Sequence, residues 1–95
     1  MDLTGKQRRH LRALGHHLEA VVQVGQQGVT DAVVRQIDAA LEQHELIKVR
    51  VSDDHDRHEV AELLAARCGA HLAQVLGRTL LLYKRRQEKP EIVLP

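Results

Sequence analysis

The tetrapeptide Gly25-Gln26-Gln27-Gly28 is the segment of this 95-residue sequence best suited to contact a ligand through its backbone. Two closely spaced glycines let the main chain approach a ligand without obstruction from Cβ atoms. A helix is predicted to follow at Thr30, and the free N–H groups at a helix N-terminus attract anions. The spacing therefore favours a phosphate-binding loop. Ordinary turn chemistry explains the same two glycines, and Asp31 in the first helical turn would partly oppose a phosphate, so the motif alone leaves both interpretations open.

The seven histidines suggest a metal site, but their spacing does not support one. The nearest pairs are His55 with His58 and the adjacent His16 and His17, and no pair of cysteines accompanies them. The segment His44-Glu45-Leu46-Ile47-Lys48 departs from the zinc motif H-E-x-x-H because a lysine replaces the second histidine. We therefore predict no metal and no cofactor.

The sequence also lacks the patterns of known catalytic sites. Ser52 is its single serine, and it contains no Walker loop, no nucleophile-elbow motif and no supporting Cys and His spacing. The acidic residues between Asp53 and Glu62 fit a helix cap and a solvated helix face better than a pair of catalytic carboxylates. We expect no enzymatic activity.

Charge is unevenly distributed although the net charge is only +1. Residues 1–17 contain four basic side chains against one acidic, residues 18–69 contain five against ten, and residues 70–95 contain five against two. If the two basic ends meet in the fold, they form a positive face suited to a polyphosphate. Lys6, Arg9 and Arg12 are predicted on the solvent side of the first helix, and Arg78 at a hairpin tip. Scattered surface charge, with Arg78 as a solvated turn residue, is the alternative.

Composition narrows the class of protein further. The chain is long enough for one compact domain, and its core must be aliphatic because Tyr83 is the single aromatic residue. RNA-binding folds that stack bases on several aromatic rings are therefore excluded, and Tyr83 fits the edge of the core better. Cys68 has no partner for an internal disulfide, no signal peptide is recognisable, and no apolar run could span a membrane. We expect a cytoplasmic protein.

Hydrophobic periodicity and capping residues predict a single α/β domain with the order α-β-α-β-α-β-β. The predicted elements are a helix from Thr4 to Gly15, a strand Ala20–Val24, a helix after Thr30, a strand Leu46–Val51, a helix capped within Ser52-Asp53-Asp54 and ending at Gly69, and strands Ala70–Leu76 and Thr79–Lys84. The first two strands should be parallel, because a strand, a helix and a strand follow in order. The last two should be antiparallel around Gly77-Arg78. Gln7, Leu11 and Leu14 are predicted on the inner side of the first helix.

The end of the chain is predicted to differ from the rest. We place the domain at residues 1–86 and a C-terminal tail at residues 87–95. The tail is charged and contains prolines, so it has little reason to be ordered. Ile92-Val93-Leu94 could dock locally.

Several segments together resemble a CRM domain of the bacterial YhbY-like, stand-alone kind. They are Leu3–Arg8, Val21–Gly25, Leu41–Val49 and Gly77–Lys84, and the resemblance covers nearly the whole chain. It implies a mixed four-stranded sheet packed by helices. It also implies a G-x-x-G loop that contacts RNA, as KH domains do, and association with precursors of the large ribosomal subunit. Lys48 matches a lysine of the family, although its side chain could simply leave a sheet edge for water.

Two positions differ from the usual family pattern. Gln26 stands where lysine is common, and Glu19-Ala20 stands where a basic residue followed by proline is usual. Both differences reduce positive charge, so the attraction for RNA should depend more on Lys6, Arg9, Arg12 and Arg78.

We therefore expect a ribosome assembly factor, a monomer that binds precursor large-subunit rRNA within the pre-ribosomal particle and does not interact with a membrane. The predicted RNA-binding residues are Gly25, Gln26, Gln27, Gly28, Lys6, Arg9, Arg12 and Arg78. Binding through the RNA backbone should be steeply salt-dependent. The alternative is a protein-interaction module that uses the acidic third helix or the apolar tail. The basic ends of the chain favour the first hypothesis.

Overall fold

The protein is described by a computed structural model that covers residues 2–95, and it alternates helices and strands as predicted. The elements are α1 (Gly5–Gly15), β1 (Ala20–Val24), α2 (Asp31–His44), β2 (Leu46–Val51), α3 (Arg57–Cys68), β3 (His71–Leu76) and β4 (Thr79–Tyr83). The strands form one mixed sheet in the order β1-β2-β4-β3. β2 is parallel to β1 and antiparallel to β4, which is antiparallel to β3. The predicted α/β class, element order and mixed four-stranded sheet are confirmed.

The helix ends are fixed by side chains that bond to free backbone groups. At α1, Gln7 N–H donates to Thr4 Oγ1 over 3.1 Å, and Thr4 N–H donates back to Gln7 Oε1 over 3.0 Å. This is the predicted capping box. At α2, Val33 N–H donates to Thr30 Oγ1 over 3.2 Å, again as predicted.

The predicted cap of α3 is wrong. Asp56 caps this helix, because its Oδ1 accepts the N–H groups of both His58 and Glu59, over 2.8 and 3.2 Å. Residues 52–55 form a separate turn in which Asp54 N–H donates to Ser52 Oγ. The carboxylate of Asp56 reaches two free N–H groups, whereas Ser52 and Asp54 bond to each other. Gly69 ends the helix with a φ of 62°, as predicted.

The sheet separates two apolar clusters. The larger lies between the sheet and the helices α2 and α3, and the smaller lies on the other face, under α1 and the C-terminal segment. Ile47, Val49 and Val51 of β2 face the larger cluster. Because successive side chains of a strand alternate between faces, Lys48 and Arg50 lie on the α1 face. Because β2 lies between β1 and β4, Lys48 stands on an interior strand and not at a sheet edge.

Helix α1 contacts the sheet closely at its C-terminal end. Leu11 is fully buried as predicted, but Leu14 is 44% exposed, so its predicted inward position is wrong. Gly15 takes the inner position instead. A Cβ atom there would lie 2.8 Å from Leu81 Cδ1, so a larger residue could not pack at this point without movement. Spacing alone could not distinguish Leu14 from Gly15, because both follow Leu11 by about one helical turn.

The C-terminal segment packs back onto the domain. Ile92 and Leu94 join the smaller apolar cluster beside Leu3 and Leu11. The Gln7 side chain donates to the Pro95 carbonyl oxygen over 3.3 Å, so the two ends of the chain meet. The basic side chains of the two ends nevertheless do not form one face as the sequence predicted, because Lys84 donates to the Cys68 carbonyl at the end of α3 and Arg78 donates to carbonyl groups of residues 51–55.

Glu45 and Arg86 hold this segment in place. Glu45 is completely buried, and its carboxylate accepts the N–H groups of Arg86, Glu91 and Ile92 over 3.0, 2.6 and 3.0 Å. Burial opposes ionisation of Glu45, but these three hydrogen bonds outweigh it and lower its pKa. The guanidinium of Arg86 donates to the carbonyl oxygens of Glu42 and Gln43 in the last turn of α2. Arg86 thus caps a helix C-terminus while its own N–H anchors the segment.

Candidate nucleic-acid interface

Three connections meet at the end of the sheet where β1 and β2 finish. They are the Gly25–Gly28 loop before α2, residues 52–56 before α3, and the turn at residues 77–78 between β3 and β4. Ser52 N–H donates to the Val24 carbonyl over 2.9 Å, and Val51 N–H donates to the Arg78 carbonyl over 2.8 Å. These bonds bring segments that are more than twenty residues apart in sequence into one surface.

The two glycines of the loop have different structural roles. Gly28 N–H donates to the Gly25 carbonyl over 3.0 Å, which closes a turn and leaves Gln26 and Gln27 exposed at its tip. Gly28 has a φ of 77°, and a Cβ atom there would lie 3.1 Å from the His55 ring. A Cβ atom on Gly25 would meet nothing within 4 Å. Gly28 is therefore required by the backbone, whereas the space beside Gly25 is open to a ligand.

The His55 side chain holds the Gly25–Gly28 loop in place. Its Nε2 lies 2.8 Å from the Gln26 carbonyl oxygen, and this nitrogen must carry a proton because a carbonyl can only accept. The ring also packs against Gly28. From the sequence, His55 was considered only as a metal ligand. No local pattern could have indicated this role, because the contact joins residues 29 positions apart.

Arg78 lies at the same end of the sheet and is bound to the backbone. Its guanidinium donates to the carbonyl oxygens of Val51, Ser52 and His55. Its Nε also lies 3.5 Å from Asp53 Oδ1, although that carboxylate is 97% exposed and the pair is weak. The side chain is therefore not a solvated turn residue. It holds the 52–55 segment, and through it His55 and the glycine loop.

The carboxylate of Asp31, which was expected to oppose a phosphate, is paired. Arg67 Nη2 lies 2.8 Å from Asp31 Oδ1. The hydrogen bond and positive charge of Arg67 lower the pKa of Asp31. Because the charge of Asp31 is locally compensated, the N-terminus of α2 repels an anion less than the sequence suggested.

The structure does not bring the basic residues of α1 into contact with the loop. Lys6, Arg9 and Arg12 are all exposed, and among residues 2–95 none has a carboxylate within 4.0 Å. The helix packs on β2, β3 and β4, away from the loop after β1. The predicted site thus consists of two parts, the loop with Arg78 and the cations of α1.

Lys48 and Arg50 lie on the sheet face between these two parts. Arg50 was not recognised from the sequence, and Lys48 was interpreted either as a match to a lysine of the family or as a side chain that leaves a sheet edge for water. The sequence does contain a pattern that predicts their shared position. In the segment Leu46-Ile47-Lys48-Val49-Arg50-Val51, basic residues alternate with β-branched ones. Such alternation places both cations on one face of a strand. The strand order, which puts that face beside α1, could not be read from this pattern.

Other chemistry is not supported by the described part of the chain. Residues 2–95 contain no group of three or more His, Cys, Asp or Glu side chains arranged to hold a metal ion. Burial, followed by the nearby Asp38, raises the pKa of Cys68 to about 11, so this thiol is unreactive. Tyr83 is 3% exposed and stacks on His71 at 6.4 Å, inside the domain as predicted. No helix within residues 2–95 is long and apolar enough to cross a membrane.

The fold and this surface define a small α/β domain with a glycine loop and a basic sheet face, and its sequence places it in a known family. Residues 3–84 match the CRS1 / YhbY (CRM) domain, and the chain belongs to this family. The family is non-enzymatic, in agreement with the absence of a catalytic pattern from the sequence.

Individual relatives cover almost the whole chain. The chain is 46% identical over 95 residues to the protein of Bacillus subtilis named "Probable RNA-binding protein YqeI", covering 98% of this chain and 99% of the relative. It is 38% identical over 95 residues to an "RNA-binding protein" of Haemophilus influenzae, covering 98% and 95%. The solution structure of SAV1595 from Staphylococcus aureus, described as a putative RNA binding protein, is 41% identical. It superimposes with a TM-score of 0.86 over 98% of this chain and 99% of that one.

Proposed function

We propose that this protein binds RNA through the glycine loop and the α1 face of the sheet, and that its target is precursor rRNA of the large ribosomal subunit. In this proposal it is a cytoplasmic assembly factor that acts as a monomer within the pre-ribosomal particle. It stabilises folded RNA and performs no reaction. The ribosomal target rests on the sequence resemblance, whereas the RNA-binding surface rests on the arrangement of charge and backbone.

The observation that supports RNA binding most strongly is the sorting of charge across the sheet. Helix α1 contains four basic and no acidic side chains, whereas α2 on the opposite face contains three acidic and one basic. Lys48 and Arg50 extend the basic area beneath α1. Among residues 2–95, none of these six cations has a carboxylate within 4.0 Å. Unpaired cations gathered on one face are available to phosphates.

The loop provides the second part of the proposed mechanism. Gly25 leaves open space at the loop surface, and the N-terminus of α2 begins just beyond Gly28. A phosphate could therefore approach the backbone there without meeting a side chain. Gln26 and Gln27 would donate amide hydrogen bonds to the same nucleotide. His55 and Arg78 would act indirectly, because they hold the loop in one conformation and so reduce the entropy lost on binding.

The names of the relatives agree with this proposal. The relative from Bacillus subtilis is named a probable RNA-binding protein and the one from Haemophilus influenzae an RNA-binding protein, and nearly the full length of each aligns with this chain. The alternative of a protein-interaction module gains less support. Ile92 and Leu94 of the apolar tail are partly buried against the smaller apolar cluster, so little of the tail beyond Val93 is available to a partner.

Sedimentation of cell extract through a gradient tests the ribosomal target. The tagged protein should migrate with large-subunit precursors at low salt and be released at high salt, because phosphate contacts displace counterions. A protein that stays at the top of the gradient at low salt would contradict the proposed target. Co-migration with mature subunits and not with precursors would contradict a role in assembly.

A charge-reversal pair at Gly25 tests the loop. Gly25→Asp and Gly25→Lys both add a side chain in open space, so neither should disturb the fold. For a phosphate held at this loop, Gly25→Asp should weaken binding to a precursor rRNA fragment and Gly25→Lys should strengthen it. Each change should be about fivefold or more, equivalent to about 1 kcal/mol. Equal affinities for the two variants would remove the loop from the binding site.

A further inference from the structure

We infer that the open part of the α1 face of the sheet is a binding pocket for one nucleotide of single-stranded RNA, with Lys48 and Arg50 contacting the phosphates on either side of it. The pocket lies between the two parts of the proposed interface, the glycine loop and the cations of α1. The inference rests on the proposed RNA-binding function and assigns to it a site that includes neither the loop nor α1 side chains.

Strand register builds the floor of this pocket from two adjacent rows of side chains. Lys48 pairs with Leu81, and Leu81 pairs with Gln74 on the next strand. The second row consists of Arg50, Thr79 and Leu76, paired in the same way. Directly paired residues point to the same side of a sheet, so all six side chains face α1. The second row lies nearest to the glycine loop, because Val51 and Val24 are the last residues of their strands.

The pocket is open because α1 covers only part of the face. The helix ends at Gly15, which packs against Leu81, and the chain then turns away through Leu18 to β1. A cavity of about 300 Å³ remains, with Leu18, Glu19 and Ala20 forming its wall. That volume is at the lower end of the range for small-ligand pockets, roughly 300–1,000 Å³, and suits one nucleotide but not a duplex.

The lining combines the chemical groups that a nucleotide requires. Lys48 and Arg50 stand two residues apart on one strand, about 7 Å along its axis, so they could contact successive phosphates. Gln74 and Thr79 offer hydrogen-bonding groups to a base or ribose. Leu76 is 67% exposed and Leu18 is 38% exposed, and they provide an apolar surface for the flat side of a base, with the buried Leu81 at the floor of the pocket. Exposed leucines beside unpaired cations favour a ligand that has both an apolar and an anionic part.

One lining residue of the pocket, Glu19, carries a negative charge that opposes a phosphate. The carboxylate of Glu19 stands at the wall of the pocket, with no basic group of residues 2–95 within 4.0 Å. A phosphate held by Lys48 should be repelled by this charge, because Ala20, the residue after Glu19, pairs with Lys48. Removing the charge should tighten binding, which is an outcome that misfolding cannot imitate.

The test is a titration of the full chain with hexauridylate, a six-nucleotide RNA. NMR spectra recorded at each step of the titration measure the leucine methyl signals and the backbone amide signals. The methyl signals of Leu76 and Leu81 should shift and saturate together with the amide signals of Gly25–Gly28. Arg50→Gln should weaken binding about fivefold. It should also reduce the slope of log affinity against log salt by about 0.7. Glu19→Gln should strengthen binding at least about twofold.

Arg35→Gln is the matched control. Arg35 is exposed on α2, across the sheet from the pocket, so this variant loses the same charge elsewhere. Its affinity should stay within about twofold of the original. An affinity loss as large as that of Arg50→Gln would overturn the inference, since the pocket cation would then contribute only general charge.

The remaining outcomes separate this inference from the proposed function. Shifts of the loop amides with unmoved Leu76 and Leu81 methyl groups would overturn the nucleotide pocket and leave RNA binding intact. No binding of hexauridylate or of a structured precursor rRNA fragment would overturn both. If inorganic phosphate produced the same methyl shifts at the same concentration, the pocket would be a simple anion site, and a nucleotide site would be wrong.

Discussion

At the scale of single residues, Gly28 and Gly25 show that two glycines of one motif can be present for different reasons. Gly28 has a positive φ of 77° and the His55 ring beside it. An L-residue in that conformation brings its Cβ atom too close to the backbone. Gly25 has neither restriction in the structure. The turn therefore explains Gly28, whereas Gly25 would be explained by the proposed contact with RNA.

Alanine substitutions should separate these two roles. Gly28→Ala is expected to lower the free energy of unfolding by about 1–2 kcal/mol because of its positive φ. Gly25→Ala should change it by less than about 0.5 kcal/mol. Urea unfolding followed by circular dichroism measures both. Similar losses for the two variants would show that Gly25 is also conformationally restricted.

Glu45 is a buried carboxylate whose three hydrogen bonds are all to backbone N–H groups. Glu45→Gln keeps the shape but replaces one acceptor oxygen by a donor, so at least one N–H must lose its partner. The expected loss of stability is about 2–3 kcal/mol, the cost of leaving a buried donor unsatisfied. Glu42→Gln is the control, because Glu42 is exposed in the last turn of α2, the helix that Glu45 follows. Thermal unfolding should show a clearly lower midpoint for Glu45→Gln. The midpoint of Glu42→Gln should stay close to that of the original protein.

At the scale of elements, the C-terminal segment depends on the ionisation of Glu45. The pKa of Glu45 is lowered in the folded protein, because the hydrogen bonds to its carboxylate outweigh the opposing effect of burial. Its stabilising contribution is therefore complete above the unfolded pKa of about 4.3. The contribution is lost as the pH falls below that value towards the folded pKa. The segment should detach in acid before the sheet unfolds, since its apolar contacts are few.

Amide hydrogen exchange tests this pH dependence. The amides of Glu91 and Ile92, which donate to Glu45, should lose protection as the pH is lowered from about 5 to about 3. In Glu45→Gln their protection should be low throughout, with little change over the same interval. Asp31 and Asp56 also have lowered pKa values, so the variant is needed to isolate Glu45. Equal pH dependence in both proteins would contradict the proposed attachment.

At the scale of the whole molecule, the sheet separates a basic face from a more acidic one. This separation predicts that electrostatic attraction to RNA comes mainly from one side of the protein. The combined variant Lys6→Gln, Arg9→Gln and Arg12→Gln should lower the slope of log affinity against log salt for a duplex RNA. The expected decrease is about 0.9 for each phosphate that the variant no longer neutralises. An unchanged slope would show that the α1 cations do not bind phosphates.

The sequence by itself determined the local features of this fold. Thr4 with Gln7, Thr30, Gly69 and Gly77 mark helix ends and a turn through contacts with residues only a few positions away. The order of elements, the parallel pair and the hairpin followed, because each depends on short-range geometry. The unequal distribution of charge along the chain was also visible, since it needs only counting.

The tertiary structure decided which distant groups meet. Arg78 binds carbonyl oxygens more than twenty residues away, His55 supports Gly28, and Glu45 holds the C-terminal segment. Lys48 and Arg50 became part of one open surface only because β4 lies between β2 and β3 and α1 ends at Gly15. Such contacts depend on strand order and on how far a helix covers a sheet. Periodicity and spacing do not encode either, because they describe neighbours along the chain and not neighbours in space.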